Sequence, residues 1–456
     1  MRSLLGEEEC ALLESALSEE PSGALRLNPL KGNDECREEL IKLLGLEKIS
    51  YEQTGYYFEK DAVPGRRPFH DAGAYYIQDP SAMIPGALLC GKLFENAGND
   101  ASYRILDLCA APGGKSTQIA AAMAGRGILV SNEINRSRAE VLSRNIERMG
   151  IRNAIVLNET SDKLAERFGG YFDAIVVDAP CSGEGMFRKD PEAVRQWSEE
   201  NVSMCAERQK EILENAYLML RPGGVMVYST CTFEKSEDED AVEAFMSAHP
   251  DMSPADTSFL KNVAEGCSDG MDGCKDAIRL WPMHFKGEGH FAALLEKKGE
   301  SERAFPSGGF ESASSVGNGK ILRTFLSETV DEKTAGHIMN SRDRFRMFGD
   351  NLFLMPEETP SLSGLKVLRC GLHLGTFKKD RFEPSHAFAL TLNVEDAKLV
   401  HRVNEDDAEE YVKGMTLEGN GSGWCLVMLD GFSVGWGKAG GGRIKNHYPK
   451  GLRIQG

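Results

Sequence analysis

The stretch RILDLCAAPGGKSTQIAAAMA, Arg104–Ala124, decides how the rest of the chain is read. RILDLCA is a short apolar run ending in small residues, and KSTQIAAAMA has the composition of a helix. Between them, Cys109, Ala110, Ala111, Pro112, Gly113, Gly114 and Lys115 form a turn of small residues closed by a cation. Paired glycines let backbone approach a ligand closely and open a helix whose N–H groups point outward. The spacing is not the G-x-G-x-x-G of dinucleotide enzymes.

Working outward, apolar runs alternate with helical segments. GILVSNE (127–133) precedes the amphipathic NRSRAEVLSRNIERMG (135–150), which stops at Gly150. NAIVLN (153–158) and FDAIVVDAP (172–180) follow, then a long helical segment from Trp197 to Leu220, then GGVMVYSTCTF (223–233) and EDEDAVEAFMSAH (237–249). Such alternation predicts an α/β fold, a parallel sheet with helices on both faces. AIRLWPMHF and GHFAALLEKK flank the turn KGEG (286–289) and read as a closing antiparallel pair.

In an open parallel sheet, ligands sit beyond the carboxyl ends of the strands, where strand order reverses. Glu133 ends the second run, about 20 residues past the glycines, where an acid can accept hydrogen bonds from ribose hydroxyls. The fourth run ends in Asp178 with Cys181 just beyond it, and the fifth leads into Cys231. In strand order 3-2-1-4-5, runs 1, 4 and 5 are neighbours about 4.8 Å apart. Cys181 and Cys231 would then enter one cleft with Asp178. Position alone leaves open which thiol attacks. Cys109 lies inside the turn, where a small packing residue suffices.

The segments DLCAAPGGKSTQIA, FDAIVVDAPCSGEGMFRKDP and YSTCTF resemble the Nop/Sun-type RNA cytosine-5 methyltransferases. The flanking segments YYFEKDAVPGRRPFHDAGAYYIQDPSAM, LKVLRCGLHLG, RFEPSHA and GWGKAGGGRIKNHYPKGLR resemble the bacterial RsmF-type branch. The similarity covers nearly the whole chain. It implies a Rossmann-like S-adenosylmethionine methyltransferase domain acting on RNA, most readily small-subunit (16S) ribosomal RNA. Transfer RNA methylation is the alternative within the family, and a non-catalytic ribosome-assembly factor is the alternative outside it. The intact cysteines, Asp178 and glycine turn argue against the latter. The resemblance makes Cys231 the nucleophile, Cys181 the residue that assists product release, and Asp178 a contact to the target cytosine. It assigns S-adenosyl-L-methionine to Cys109–Lys115, Glu133 and Asp178. Many family members carry an Asp after the third strand, near the adenine; Thr160 stands there in LNETS.

The chemistry explains the need for these groups. Carbon 5 of cytosine is a poor nucleophile, and a thiolate added at carbon 6 turns the ring into an enamine that can attack a sulfonium methyl. A cationic neighbour is expected to favour the thiolate. Asp178, protonated or hydrogen-bonded, is expected to hold the ring nitrogen edge. A second group must help remove the carbon-5 proton and release the thiol.

The 456 residues, 41% hydrophobic and 27% charged, allow two or three folded domains. The expected divisions are an N-terminal, RNA-recognition-like extension (1–100), the catalytic domain (101–298), a Ser/Gly-rich linker (299–319) and a PUA-like C-terminal RNA-binding region (320–456). Eleven cysteines are too sparse for a disulfide scaffold, and no CxxC pair supports a structural metal. No apolar run approaches the roughly 18 residues of a membrane span, and the acidic start MRSLLGEEEC is unlike a signal peptide. A cytoplasmic monomer is expected. A net charge of -17 demands that RNA be met by local basic surface. Candidates are Lys438, Arg443, Lys445, Lys450 and Arg453 at the C-terminus, and Lys366, Arg369, Lys378, Lys379 and Arg381 before it. Arg188 and Lys189, after the PCSG turn, are placed to position the target strand. The acidic run EKSEDED (234–240) is expected to be a solvated face.

Overall fold

The computed structural model describes residues 1–95, 98, 101–300, 308–311 and 319–453. Five runs of the central region form parallel strands β1 (Arg104–Asp107), β2 (Ile128–Asn132), β3 (Ala154–Leu157), β4 (Phe172–Asp178) and β5 (Leu220–Thr230). Their order is β3-β2-β1-β4-β5, the 3-2-1-4-5 arrangement expected. Strand side chains alternate between two apolar cores. Ile105, Leu129, Val156, Val176 and Val227 face one. Leu106, Val130, Ile155, Ile175 and Tyr228 face the other. Both faces are covered, so the strands read as continuous apolar runs rather than alternating ones.

The crossover helices are α1 (Gly114–Met123), α2 (Arg136–Arg148), α3 (Ser161–Arg167) and α4 (Glu199–Met219); α5 (Glu239–Ala248) follows β5. Asn135 caps α2 by accepting from the Ser137 and Arg138 amides, and Gly150 ends it at φ +69°, where a Cβ would lie 2.5 Å from the Leu390 carbonyl. The helix expected from Trp197 to Leu220 is continuous over Glu199–Met219. Ser198 caps α4 by accepting from the Asn201 amide, and a separate helix, Pro191–Gln196, precedes Trp197.

β6 (Ile278–Leu280) and β7 (His290–Lys297) close one edge, antiparallel as expected, with β7 against β5. The opposite edge holds a strand from the C-terminal region. β8 (Val367–Cys370) runs antiparallel to β3. The Asn158 amide donates to the Lys366 carbonyl at 2.9 Å, and the Lys366 amide donates to Glu159 at 2.6 Å. The C-terminal region is therefore stitched into the catalytic sheet.

The N-terminal extension carries a four-stranded antiparallel sheet, and residues beyond 319 form a four-stranded and a five-stranded sheet. Leu25, Leu40 and Tyr75 of the extension share a core with Tyr411, Cys425 and Phe432 near the C-terminus. The Lys31 ammonium donates to the Ser433 carbonyl at 3.1 Å, and Arg67 pairs with Glu405 at 3.0 Å. Of the expected linker, residues 301–307 and 312–318 lie outside the described residues. Phe310 within it bridges to Pro360.

Candidate active site

Residues that leave β4 and β5 side by side bring the two thiols together. Cys181 Sγ and Cys231 Sγ are 3.2 Å apart, and the Cys231 amide donates to Cys181 Sγ at 3.3 Å. Contact with the Cys231 sulfur, and then burial, push the Cys181 thiol well above its ordinary pKa.

Each cysteine loop is pinned by a glutamate from the other. Glu237, beyond Cys231, accepts from the Ser182 hydroxyl, from the Ser182 amide at 3.0 Å and from Gln209 at 2.8 Å. Glu184, beyond Cys181, accepts from the Thr232 hydroxyl, the Phe233 amide at 3.0 Å and the Trp197 indole at 2.6 Å. Sequence reasoning assigned neither a role, although Glu184 stands inside the quoted PCSGEG motif.

The acidic run 234–240 is not the solvated face expected: Glu237, Asp238 and Glu239 are fully buried. Arg279 makes this possible, with two bonds to Glu239 at 2.6 and 2.7 Å and a contact to Asp238 at 3.0 Å. Buried carboxylates require such partners.

Asp178 opens toward the cleft with its side chain one-third exposed, and the largely buried Lys115 meets it at 2.7 Å. Ser229 donates to its other oxygen at 2.8 Å. Burial alone would raise the Asp178 pKa. The Lys115 ammonium, His290 and the Ser229 bond outweigh it and hold the carboxyl below its usual value. Asp178 is therefore ionised, correcting the protonated option, and Lys115 pairs with Asp178. His290, on β7, was missed. Its Nε2 lies 3.8 Å from Asp178 and is buried with no hydrogen-bond partner among the described residues. Burial, then Lys115, lowers its pKa to about 4, so it is neutral at pH 7.

The turn Cys109–Lys115 opens α1 at the end of β1. Gly113 takes φ +112°, and a Cβ on Gly114 would lie 3.0 Å from the Gln78 amide nitrogen. The Ala110 amide donates to the Asn132 carbonyl at 2.8 Å, while Arg138 and Asn145 each donate to a carbonyl of the turn at 2.8 Å. Cys109 packs beneath it. Glu133 is buried rather than solvent-facing. One oxygen accepts from the Asn135 amide at 2.8 Å, and the other is 3.4 Å from Arg138. Asp107, also missed, is buried with one oxygen bonded to Ser116 at 2.6 Å and the other without a partner. Burial pushes its pKa up to about 7. An orphaned acid, a strand-end glutamate and a turn with no room for side chains suit a positively charged nucleoside cofactor. Thr160 does not join them. It is exposed at the start of α3 and its hydroxyl bonds Asp162, while Glu159 is buried and bonded to Lys163 at 2.8 Å.

Arg188 and Lys189 are likewise not free for RNA. Arg188 is buried against Glu288 at 3.0 Å and the Gly287 carbonyl at 2.7 Å, because its cation answers a fully buried glutamate. Lys189 pairs with Asp79. Lys445 and Lys450 are exposed, as their reading requires. In the other basic group, Arg369 is buried against Glu147.

Strand order, a glycine turn opening the first helix and thiols beyond the fourth and fifth strands define a Rossmann-like methyltransferase. A family model for the 16S rRNA methyltransferase RsmB/F matches residues 96–296. Models of the RsmF N-terminal domain, first C-terminal domain and PUA domain match 1–80, 324–392 and 398–454. The region expected as one PUA-like unit thus comprises two family domains. The chain is 34% identical, over 94% of its length and 90% of the relative's, to the ribosomal RNA small subunit methyltransferase F of Vibrio vulnificus. Against that of Shewanella woodyi the identity is 31%, with the same coverage. A crystal structure of a methyltransferase homologue from Pyrococcus horikoshii shares the fold, with TM-score 0.54 and 24% identity over 64% of this chain and 91% of that one. The chain belongs to the RsmF family of ribosomal RNA methyltransferases, enzymes that depend on S-adenosylmethionine.

Proposed function

We propose that the chain methylates carbon 5 of a cytosine in small-subunit ribosomal RNA through a covalent Cys231 adduct. The observation that carries this reading is the 3.2 Å approach of Cys181 Sγ to Cys231 Sγ where β4 and β5 end side by side. Full-length likeness to the RsmF branch favours ribosomal over transfer RNA. Among the described residues no helix is long and apolar enough to cross a membrane, and the reading places a monomer with the ribosome in the cytoplasm.

In this reading Cys231 Sγ adds to carbon 6 and makes carbon 5 nucleophilic. The Cys109–Lys115 turn, Glu133 and Asp107 would hold S-adenosylmethionine, which would supply an electrophilic methyl. Asp178, positioned by Lys115 and Ser229, accepts a hydrogen bond from the exocyclic amine or protonated nitrogen edge of the adduct, where positive charge develops. The carbon-5 proton passes to water, the carbon 6–sulfur bond breaks with its electron pair going to Cys231, and the Cys181 thiol assists release by hydrogen bonding to the departing sulfur. The target base must be unpaired or extruded to reach these atoms.

Denaturing gels with ribosomal RNA test the roles. Cys231→Ala should abolish methylation and form no adduct. Cys181→Ala should accumulate a heat-stable protein–RNA complex. An adduct in the Cys231 variant would reverse the assignment, and an active double variant would remove covalent catalysis.

A further inference from the structure

The two basic groups of the sequence meet in space. A groove of about 850 Å³ runs between α6 (Gly319–Thr329), the turn before Phe382, and the first and second long strands of the C-terminal sheet. Arg381 enters it from one basic group and Lys438 from the other, joined by Lys320 and Lys398. Two acids, Glu328 and Asp380, also line it, so cations outnumber anions locally on a chain of net charge -17.

The cations differ in availability. Arg381 is engaged by Glu383 at 2.7 Å and Asp380 at 3.7 Å. Lys398 donates to the Ser327 carbonyl at 2.6 Å, which holds its ammonium at the groove's lip with further N–H groups to give. Lys320 and Lys438 are exposed and make no ion pair among the described residues. Trp424 stands half-buried in the wall. Its ring packs edgewise on Trp436 at 6.3 Å and His447 at 4.5 Å, and the Lys438 ammonium is 5.5 Å from its centroid.

An anchored aromatic ring with unpaired lysines around it is how single-stranded nucleic acid is gripped: bases stack, and phosphates meet the ammonium groups. A protein partner would call for fewer lysines, which are depleted at protein interfaces. We propose that this groove is a second RNA-binding site, in which Trp424 stacks on an unpaired base and Lys320, Lys398 and Lys438 contact its flanking phosphates. The proposal rests on the reading that the substrate is RNA. It would anchor a strand away from the cleft, whose own basic residues are engaged by buried acids.

The test uses the full-length enzyme, a single-stranded ribosomal RNA fragment carrying the methylated site, and anisotropy titrations across a KCl series. Trp424→Ala should weaken RNA binding by roughly tenfold or more, and Trp424→Phe should recover most of it because stacking survives. The surface double variant Lys398→Gln/Lys438→Gln should lower the slope of log affinity against log salt by about 1.4, two single-strand phosphate contacts. Unchanged affinity and slope in the lysine variant, with the parent binding and methylating normally, would overturn the groove alone. Unchanged RNA affinity with weakened capture of assembled subunits would also overturn it, in favour of a protein contact. A parent that neither binds nor methylates RNA would overturn the reading beneath it.

Discussion

The catalytic cleft and the C-terminal groove use cations in opposite ways. In and around the cleft, Lys115 is paired with Asp178, Arg188 with Glu288, and Arg279 with Asp238 and Glu239. In the groove, Lys320 and Lys438 have no ionic partner among the described residues. Charges withdrawn from water must be matched, and the matching fixes where side chains point. Charges left in water hold no geometry but release counterions when a phosphate arrives. One region is thus built for position, the other for attraction.

The comparison is tested most severely at Arg279. Replacing it by Met leaves Asp238 and Glu239 buried without a cation, which should cost about 3–5 kcal/mol in urea denaturation. A loss no larger than that of a surface pair would show that the acidic run opens to water and that the clamp on the cysteines is loose.

Lys115→Met removes the chief group holding Asp178 ionised. A loss of about 10²–10³-fold in kcat is expected. The pKa of Asp178 should rise, so activity lost on acidification should fail at a higher pH than in the parent. A pH–rate profile with an unmoved acidic limb would take the pair out of the reaction.

Buried groups should also carry the pH dependence of stability. His386 is held near pKa 4, first by burial, with Lys31 adding to the shift and Glu147 opposing it. It is neutral when folded, against an ordinary value near 6.5. Its contribution is therefore complete above about pH 6.5 and lost as pH falls toward 4, at most about 3 kcal/mol. His386→Asn should flatten that part of the denaturation-versus-pH curve.

The smallest effect belongs to an exposed pair. Arg381→Ala breaks the bond to Glu383 and should leave stability nearly unchanged, since solvent screens so exposed a pair, while its effect on RNA affinity should fade with added salt.

Much of this was legible without coordinates. The apolar runs, the glycine turn and the cysteine motifs led to the observed strand order and to the meeting of Cys181, Cys231 and Asp178, because parallel strands joined by helices leave few arrangements. The acidic run was misread because a carboxylate's surroundings depend on a partner far along the chain: Arg279 lies 40 residues beyond Glu239. The same holds for Arg188, drawn inward by Glu288 from 100 residues away. Thr160 was misplaced by alignment to a motif when its position at the start of α3 turned it outward.

The sequence alone determined which elements form and what chemistry their ends carry, since period, turns and motif residues act over a few neighbouring positions. Tertiary structure decided which charges are buried, that β8 completes the catalytic sheet, and that the two ends of the chain share a core. Those outcomes depend on which distant surfaces exclude water together. The thiols could be foretold to meet; that they close to 3.2 Å, and that this contact together with burial raises the Cys181 thiol, only the fold decides.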